Sequence, residues 1–141
     1  MATSYEEMYN RCLSRIEDPT FAMLPEEDLE NILHGYLMSA IAKHRKCEHE
    51  LSDRDDGLKQ FNFDLSDIEK EILTIMMVRE WVSVQLHSVT LTLQAFSGKE
   101  SKYYSQAAHM KELIEMDERL RLEAQSLSRD YTYSILDDLL D

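Results

Sequence analysis

The chain has 141 residues, with 28 acidic against 15 basic side chains and a formal net charge of −13. One domain of this length buries a real core, and so acidic a protein as a whole repels nucleic acid and anionic membranes. Three Gly and two Pro disfavour a turn-dense β architecture and favour long helices.

The first helix is expected to begin near Ser4. Tyr5, Met8, Tyr9, Cys12, Leu13 and Ile16 recur at three and four residues and form one apolar stripe. Tyr5-Glu6-Glu7 interrupts any apolar core of a signal peptide. Asp18-Pro19 ends the pattern, because the residue before proline avoids the α region. Phe21, Met23 and Leu24 read as a short apolar connector.

The second helix starts at Pro25, a residue suited to the first helical position. Glu26, Glu27 and Asp28 fill its first turn and Lys43, Arg45 and Lys46 lie near its end, which matches the helix dipole at both ends. Its buried face is Leu29, Ile32, Leu33, Tyr36, Leu37, Ala40 and Ile41. Gly35 is a soft spot that a close helix crossing would explain. Residues 49–64 are polar, contain Gly57 and the charged run Ser52-Asp53-Arg54-Asp55-Asp56, and read as a loop.

The third helix has the plainest start in the chain. Ser66 and Glu69 have capping-box spacing, and Leu65 sits just outside the cap. Ile72, Leu73, Ile75, Met76, Met77, Val78, Trp81 and Val82 then leave almost no polar face, the mark of a helix buried in the core or by neighbouring subunits. Ile72, Met76, Met77 and Trp81 are taken as the centre of the core or of an assembly contact, with Trp81 largely buried. From His87 to Phe96, Val89, Leu91 and Leu93 alternate with Thr90 and Thr92, so a strand and a continued helix are both open.

The fourth helix is expected over 101–129, on Tyr103, Ala107, Met110, Leu113, Leu120, Ala124 and Leu127, with Asp117 as a polar interruption and a Glu115–Arg119 pair across one turn. The tail that follows alternates apolar and acidic residues. Tyr131, Tyr133 and Ile135 share a face if it is extended, and Leu136, Leu139 and Leu140 share one if it turns helical on a partner. The expected fold class is therefore all-α, a bundle of about four main helices near 4–16, 25–48, 66–86 and 101–129 with an extended C-terminal arm. Residues 1–129 are expected to form the helical domain, and residues 130–141 either an arm that docks through Tyr131, Tyr133, Ile135, Leu136, Leu139 and Leu140 or a flexible, frayed tail.

Catalytic and metal-binding patterns are weak. His44, Cys47 and His49 are close in sequence, but zinc wants two ligand pairs and only Cys12 is left to add. Counting Gly57 as the sixth position of a calcium loop puts Phe63 where an acidic twelfth ligand is needed. No Glu-x-x-His motif supports a di-iron bundle, since Glu30 and His34 are one residue too far apart. No nucleophile–base spacing and no glycine-rich phosphate loop is present. Cys12 and Cys47 read as free thiols of a reducing compartment. Lys43-His44-Arg45-Lys46 is better explained as a dipole-matched helix end than as a DNA-reading element. No wholly apolar run exceeds that of Ile75 to Val78, far short of a membrane span. The expectation is a protein that is not an enzyme and uses no metal or cofactor.

Several stretches together resemble a known family. They are Ser4-Tyr5-Glu6-Glu7-Met8-Tyr9, Leu33-His34-Gly35-Tyr36-Leu37-Met38-Ser39-Ala40-Ile41, Asp53-Arg54-Asp55-Asp56, Phe63-Asp64-Leu65-Ser66-Asp67-Ile68-Glu69, Met76-Met77-Val78-Arg79-Glu80-Trp81, Tyr104-Ser105-Gln106-Ala107-Ala108-His109 and Asp130-Tyr131-Thr132-Tyr133. With these the chain is similar to the head–tail connector (adaptor) proteins in the neck of tailed bacteriophages. The resemblance implies a mostly helical virion protein, assembled in the bacterial cytoplasm into a homo-oligomeric, dodecameric ring beneath the portal protein. It also implies contact with a stopper or tail-completion protein, and DNA passing through the channel without specific binding. The C-terminal segment is expected to dock on a neighbouring ring. The competing expectation is a cytosolic helical regulator or inhibitor that binds a single protein partner.

Overall fold

The computed structural model describes residues 2–44, 50–95 and 100–140. Among the described residues five helices and a two-stranded hairpin follow one another: α1 (Tyr5–Leu13), α2 (Pro19–Ala22), α3 (Glu26–Lys43), β1 (Arg54–Asp55), β2 (Gln60–Phe61), α4 (Asp67–Ala95) and α5 (Glu100–Leu140). The chain is an all-α bundle, as its periodicity predicts.

Ser4 caps α1 by accepting a bond from the Glu7 amide at 3.2 Å. Tyr5, Met8, Tyr9 and Cys12 are buried along one stripe. The helix stops at Leu13, earlier than expected, though Ile16 is still buried. The expected connector contains one helical turn, α2, capped by Asp18 with Pro19 at its start. In α3 the acidic first turn and Lys43 in the last turn complement the dipole. Leu33, Leu37 and Ala40 are buried, and Leu29, Ile32, Tyr36 and Ile41 are half-buried. A Cβ on Gly35 would meet nothing within 4 Å, so no close crossing explains that glycine.

The polar stretch after α3 is more ordered than a loop. β1 pairs antiparallel with β2, and Asp55 Oδ1 accepts the Leu58 amide at 2.9 Å inside the turn. Lys59 takes a left-handed φ of 55° to close it. The N-terminus then lies against β2: Phe61 N–H donates to the Thr3 carbonyl at 2.8 Å and Thr3 N–H to the Phe63 carbonyl at 3.0 Å. Phe61 is fully buried, edge-on to Tyr5 with centroids 5.3 Å apart. The hairpin thus ties the chain start to the beginning of α4.

The capping box forms as its spacing predicts. Glu69 N–H donates to Ser66 Oγ at 3.3 Å, and Ser66 N–H donates to Glu69 Oε1 at 2.8 Å. α4 is the central helix and packs against α1, α3 and α5. Its first half is covered almost all round, with Ile72, Leu73, Ile75, Met77, Val78 and Val82 buried. Its second half continues as helix through the residues that alternate. Thr90 and Thr92 turn their hydroxyls back onto the carbonyls of Leu86 and Ser88, at 2.8 and 3.0 Å. Val89 is buried and Leu86 and Leu93 are half-buried, while Leu91 is exposed. The helical period of three and four therefore decides burial there, and the period of two does not.

α5 has 41 residues and is roughly 60 Å long. It runs antiparallel to α4, with Arg79 on Asp117 and Glu69 against Tyr131. Its inner stripe is Leu113, Leu120, Ala124 and Tyr131, all buried. The helix crosses 129–130 without a break, so the expected extended conformation of the C-terminal arm is corrected. Residues up to Leu140 are the last turns of α5, because Tyr131 continues the stripe and is held by the bundle. Residue 141 lies outside the described residues.

Candidate interaction surface

Three elements bring polar side chains together at one end of the bundle. His44 follows the last turn of α3, Glu69 lies in the first turn of α4, and Tyr131 lies late in α5. All three are buried. Tyr131 donates its hydroxyl to Glu69 Oε2 at 2.9 Å while Oε1 holds the Ser66 amide, so one carboxylate ties a helix start to a helix end. The His44 ring lies edge-on to Tyr131, with centroids 6.3 Å apart. Burial pushes the His44 imidazole below its ordinary pKa, and the nearby Glu69 charge offsets only part of that. Nε2 of His44 has no hydrogen-bond partner among the described residues.

Above this cluster lies a groove of about 830 Å³ between the end of α3, the first half of α4 and the second half of α5. Lys43, His44, Arg79, Arg121 and Arg129 line it, with Met76 and Ala124 as apolar floor. In a chain of net charge −13 this is a concentration of cations. Each has a different degree of freedom. Lys43 pairs with Glu80, Arg79 is bidentate on Asp117 at 3.0 and 3.4 Å, and Arg121 donates from Nε to Glu118 at 3.0 Å. The Glu118 partner holds the Arg121 guanidinium above its already high pKa, and Arg121 in turn lowers that of Glu118. Arg129 is exposed and has no carboxylate partner among the described residues.

The expected site residues divide into three groups. Ile72 and Met77 are fully buried in the bundle. Met76 is half-buried and opens into the groove. Trp81 is half-buried rather than largely buried, because its indole lies at the edge of the core and donates Nε1–H to Asp18 Oδ2 at 3.0 Å. The expected docking residues also separate: Tyr131 is part of the bundle, Ile135 is half-buried, and Tyr133, Leu136, Leu139 and Leu140 are exposed.

Sequence reasoning missed the groove. Arg121, Gln125, Ser128, Arg129 and Thr132 recur at three and four residues and read as an ordinary solvated helix face. Asp117, read as an interruption, is the partner of Arg79. On α5 the one-turn pair is Glu118 with Arg121, and no Glu115–Arg119 pair occurs among the described residues. Among the described residues no three His, Cys, Asp or Glu side chains are grouped to hold a metal ion, and Cys47 and His49 lie outside them. Cys12 is buried, its thiol pushed up to about 12 by desolvation. No helix among the described residues is long and apolar enough to cross a membrane. No family model matches the chain, and no curated protein or solved structure matches it either.

Proposed function

We propose that this chain is a structural protein of a tailed-phage virion, a head–tail connector subunit whose ring joins the portal to the stopper or tail and surrounds the DNA channel. The observation that carries the reading is that α5 exposes large apolar side chains among the polar residues of its outer side. Opposite the stripe of Leu113, Leu120, Ala124 and Tyr131, the helix exposes Leu122 and Leu140, and between them Tyr133, which also lines the groove. Those three are eleven and seven residues apart, about three turns and two turns. α4 likewise exposes Val84 and Leu91, seven residues apart. Helices with apolar residues on an outer face suit a subunit that loses surface to identical neighbours.

Two further features support it. The high acidity suits a channel through which DNA slides without sticking. Beyond Tyr131 the helix carries Leu136, Leu139 and Leu140 exposed on its last two turns, apolar side chains suited to contact another subunit. Co-expression with the portal protein of the same phage tests the assignment. Capture of the chain by the portal as a ring, seen by native mass spectrometry and electron microscopy, is the expected result. A chain that remains monomeric or dimeric and never associates with the portal overturns it in favour of a single-partner regulator.

A further inference from the structure

The groove between α3, α4 and α5 has the chemistry of a socket for a negatively charged segment. It gathers Lys43, Arg79, Arg121 and Arg129, and Arg129 has no carboxylate to neutralise it among the described residues. His44 lines the groove as well, and its buried Nε2 atom has no hydrogen-bond partner among the described residues. A negatively charged group entering the groove would neutralise Arg129.

The same molecule carries a segment of the opposite character. The end of α5 reads Leu136-Asp137-Asp138-Leu139-Leu140, and all five residues are exposed. Asp137 and Asp138 have no ion pair among the described residues. This end cannot enter the groove of its own subunit. Arg121, Arg129 and the tail lie on one uninterrupted helix, and a helix cannot fold back on its own flank without breaking. A second copy has no such restriction.

We infer that the groove receives the acidic C-terminal end of a second copy of this chain. Asp137 and Asp138 of one subunit meet Arg129 of the next, and the neighbouring leucines rest on Met76 and Ala124. The contact joins different surfaces on the two copies, so it repeats head to tail and builds a ring or a filament. The inference rests on the self-assembling half of the connector reading and does not involve the portal.

Complementation between two charge-reversed full-length variants tests it. Arg129→Glu spoils the groove and leaves the tail; the double variant Asp137→Arg, Asp138→Arg spoils the tail and leaves the groove. All three sites are exposed, so both variants are expected to fold, which circular dichroism checks. Mass photometry across a concentration series should show parent oligomers and, for each variant alone, self-association weaker by roughly tenfold or more, as expected for losing a charge-assisted pair. Mixed together, the two variants should regain self-association, because the unaltered acidic tail of one meets the unaltered groove of the other and the two reversed surfaces also carry opposite charge. Variants that assemble like the parent, a mixture that gains nothing, or a parent monomeric up to its solubility limit would each overturn the inference. So would a groove that takes inorganic phosphate tightly while assembly is insensitive to both reversals. A tail variant that still oligomerises but loses portal capture sinks the socket and leaves the connector assignment standing. Loss of portal capture with intact complementation does the reverse.

Discussion

The hydroxyl of Tyr131 donates to Oε2 of Glu69 at 2.9 Å, joining two buried side chains that lie 62 positions apart in the chain. Glu69 holds the start of α4 with its other oxygen. The bond is therefore a clasp between the capping box and the last turns of α5. Tyr131→Phe keeps the ring and removes the donor. It is expected to lower stability by about 1–3 kcal/mol, the range for disturbing a buried polar pair. Urea denaturation measures it, and an unchanged midpoint would show that the clasp contributes nothing.

The clasp also fixes where the chain can be shortened. Ending it after residue 129 removes Tyr131 from the inner stripe and should destabilise the bundle by about 3–5 kcal/mol, as for a deleted large core side chain. Ending it after Ile135 removes only exposed positions of the described helix and should leave the melting temperature near that of the parent. Equal melting of the two truncations would contradict the placement of Tyr131.

Stability should fall in mild acid because of His44. Desolvation holds its folded pKa below the ordinary value, so the unfolded chain binds a proton that the folded chain refuses. Its contribution is complete above the unfolded pKa of about 6.5 and is lost as pH falls from there towards the depressed folded value. Urea midpoints between about pH 7.5 and 5 should decline for the parent and decline less for His44→Asn. Identical slopes would remove His44 from the account.

Cys12 should be chemically silent in the folded protein. Its thiol is buried and pushed up to about 12, so almost no thiolate is present at neutral pH. In a Cys47→Ser variant, a thiol reagent should react only on unfolding. The same shift predicts alkaline weakening. The folded state keeps the Cys12 proton, and the Tyr9 proton likewise up to about 12, so this stability is present below the ordinary thiol and phenol pKa values and disappears as pH rises through the gap. Fast labelling under native conditions would place Cys12 at the surface.

Trp81 separates edge from centre. Trp81→Phe removes the indole bond to Asp18 and should lower stability by about 0.5–1.5 kcal/mol. Trp81→Ala removes packing as well, but less than the roughly 3–5 kcal/mol of a fully buried tryptophan. Emission should fall between that of buried and exposed indole. Emission typical of a dry core would restore the deeper position.

By itself the sequence determined the local events. Ser4, Asp18 and Ser66 with Glu69 stop and start helices through bonds to residues two or three positions away, and apolar spacing of three and four assigns the faces of α1, α3 and the first half of α4. Such signals are short-range, so they are legible along the chain. Tertiary structure decided the rest. Residues 87–95 carry two periods at once, and it is the packing of Val89 in the core, with Leu93 against it, that selects the helix. The tail is helical because Tyr131 finds Glu69, which no local pattern announces. The cationic groove, too, exists only because α3, α4 and α5 bring Lys43, Arg79 and Arg129 to one place. Each of those side chains, read on its own helix, is an ordinary surface residue, and electrostatic character belongs to the assembled surface rather than to any single stretch of chain.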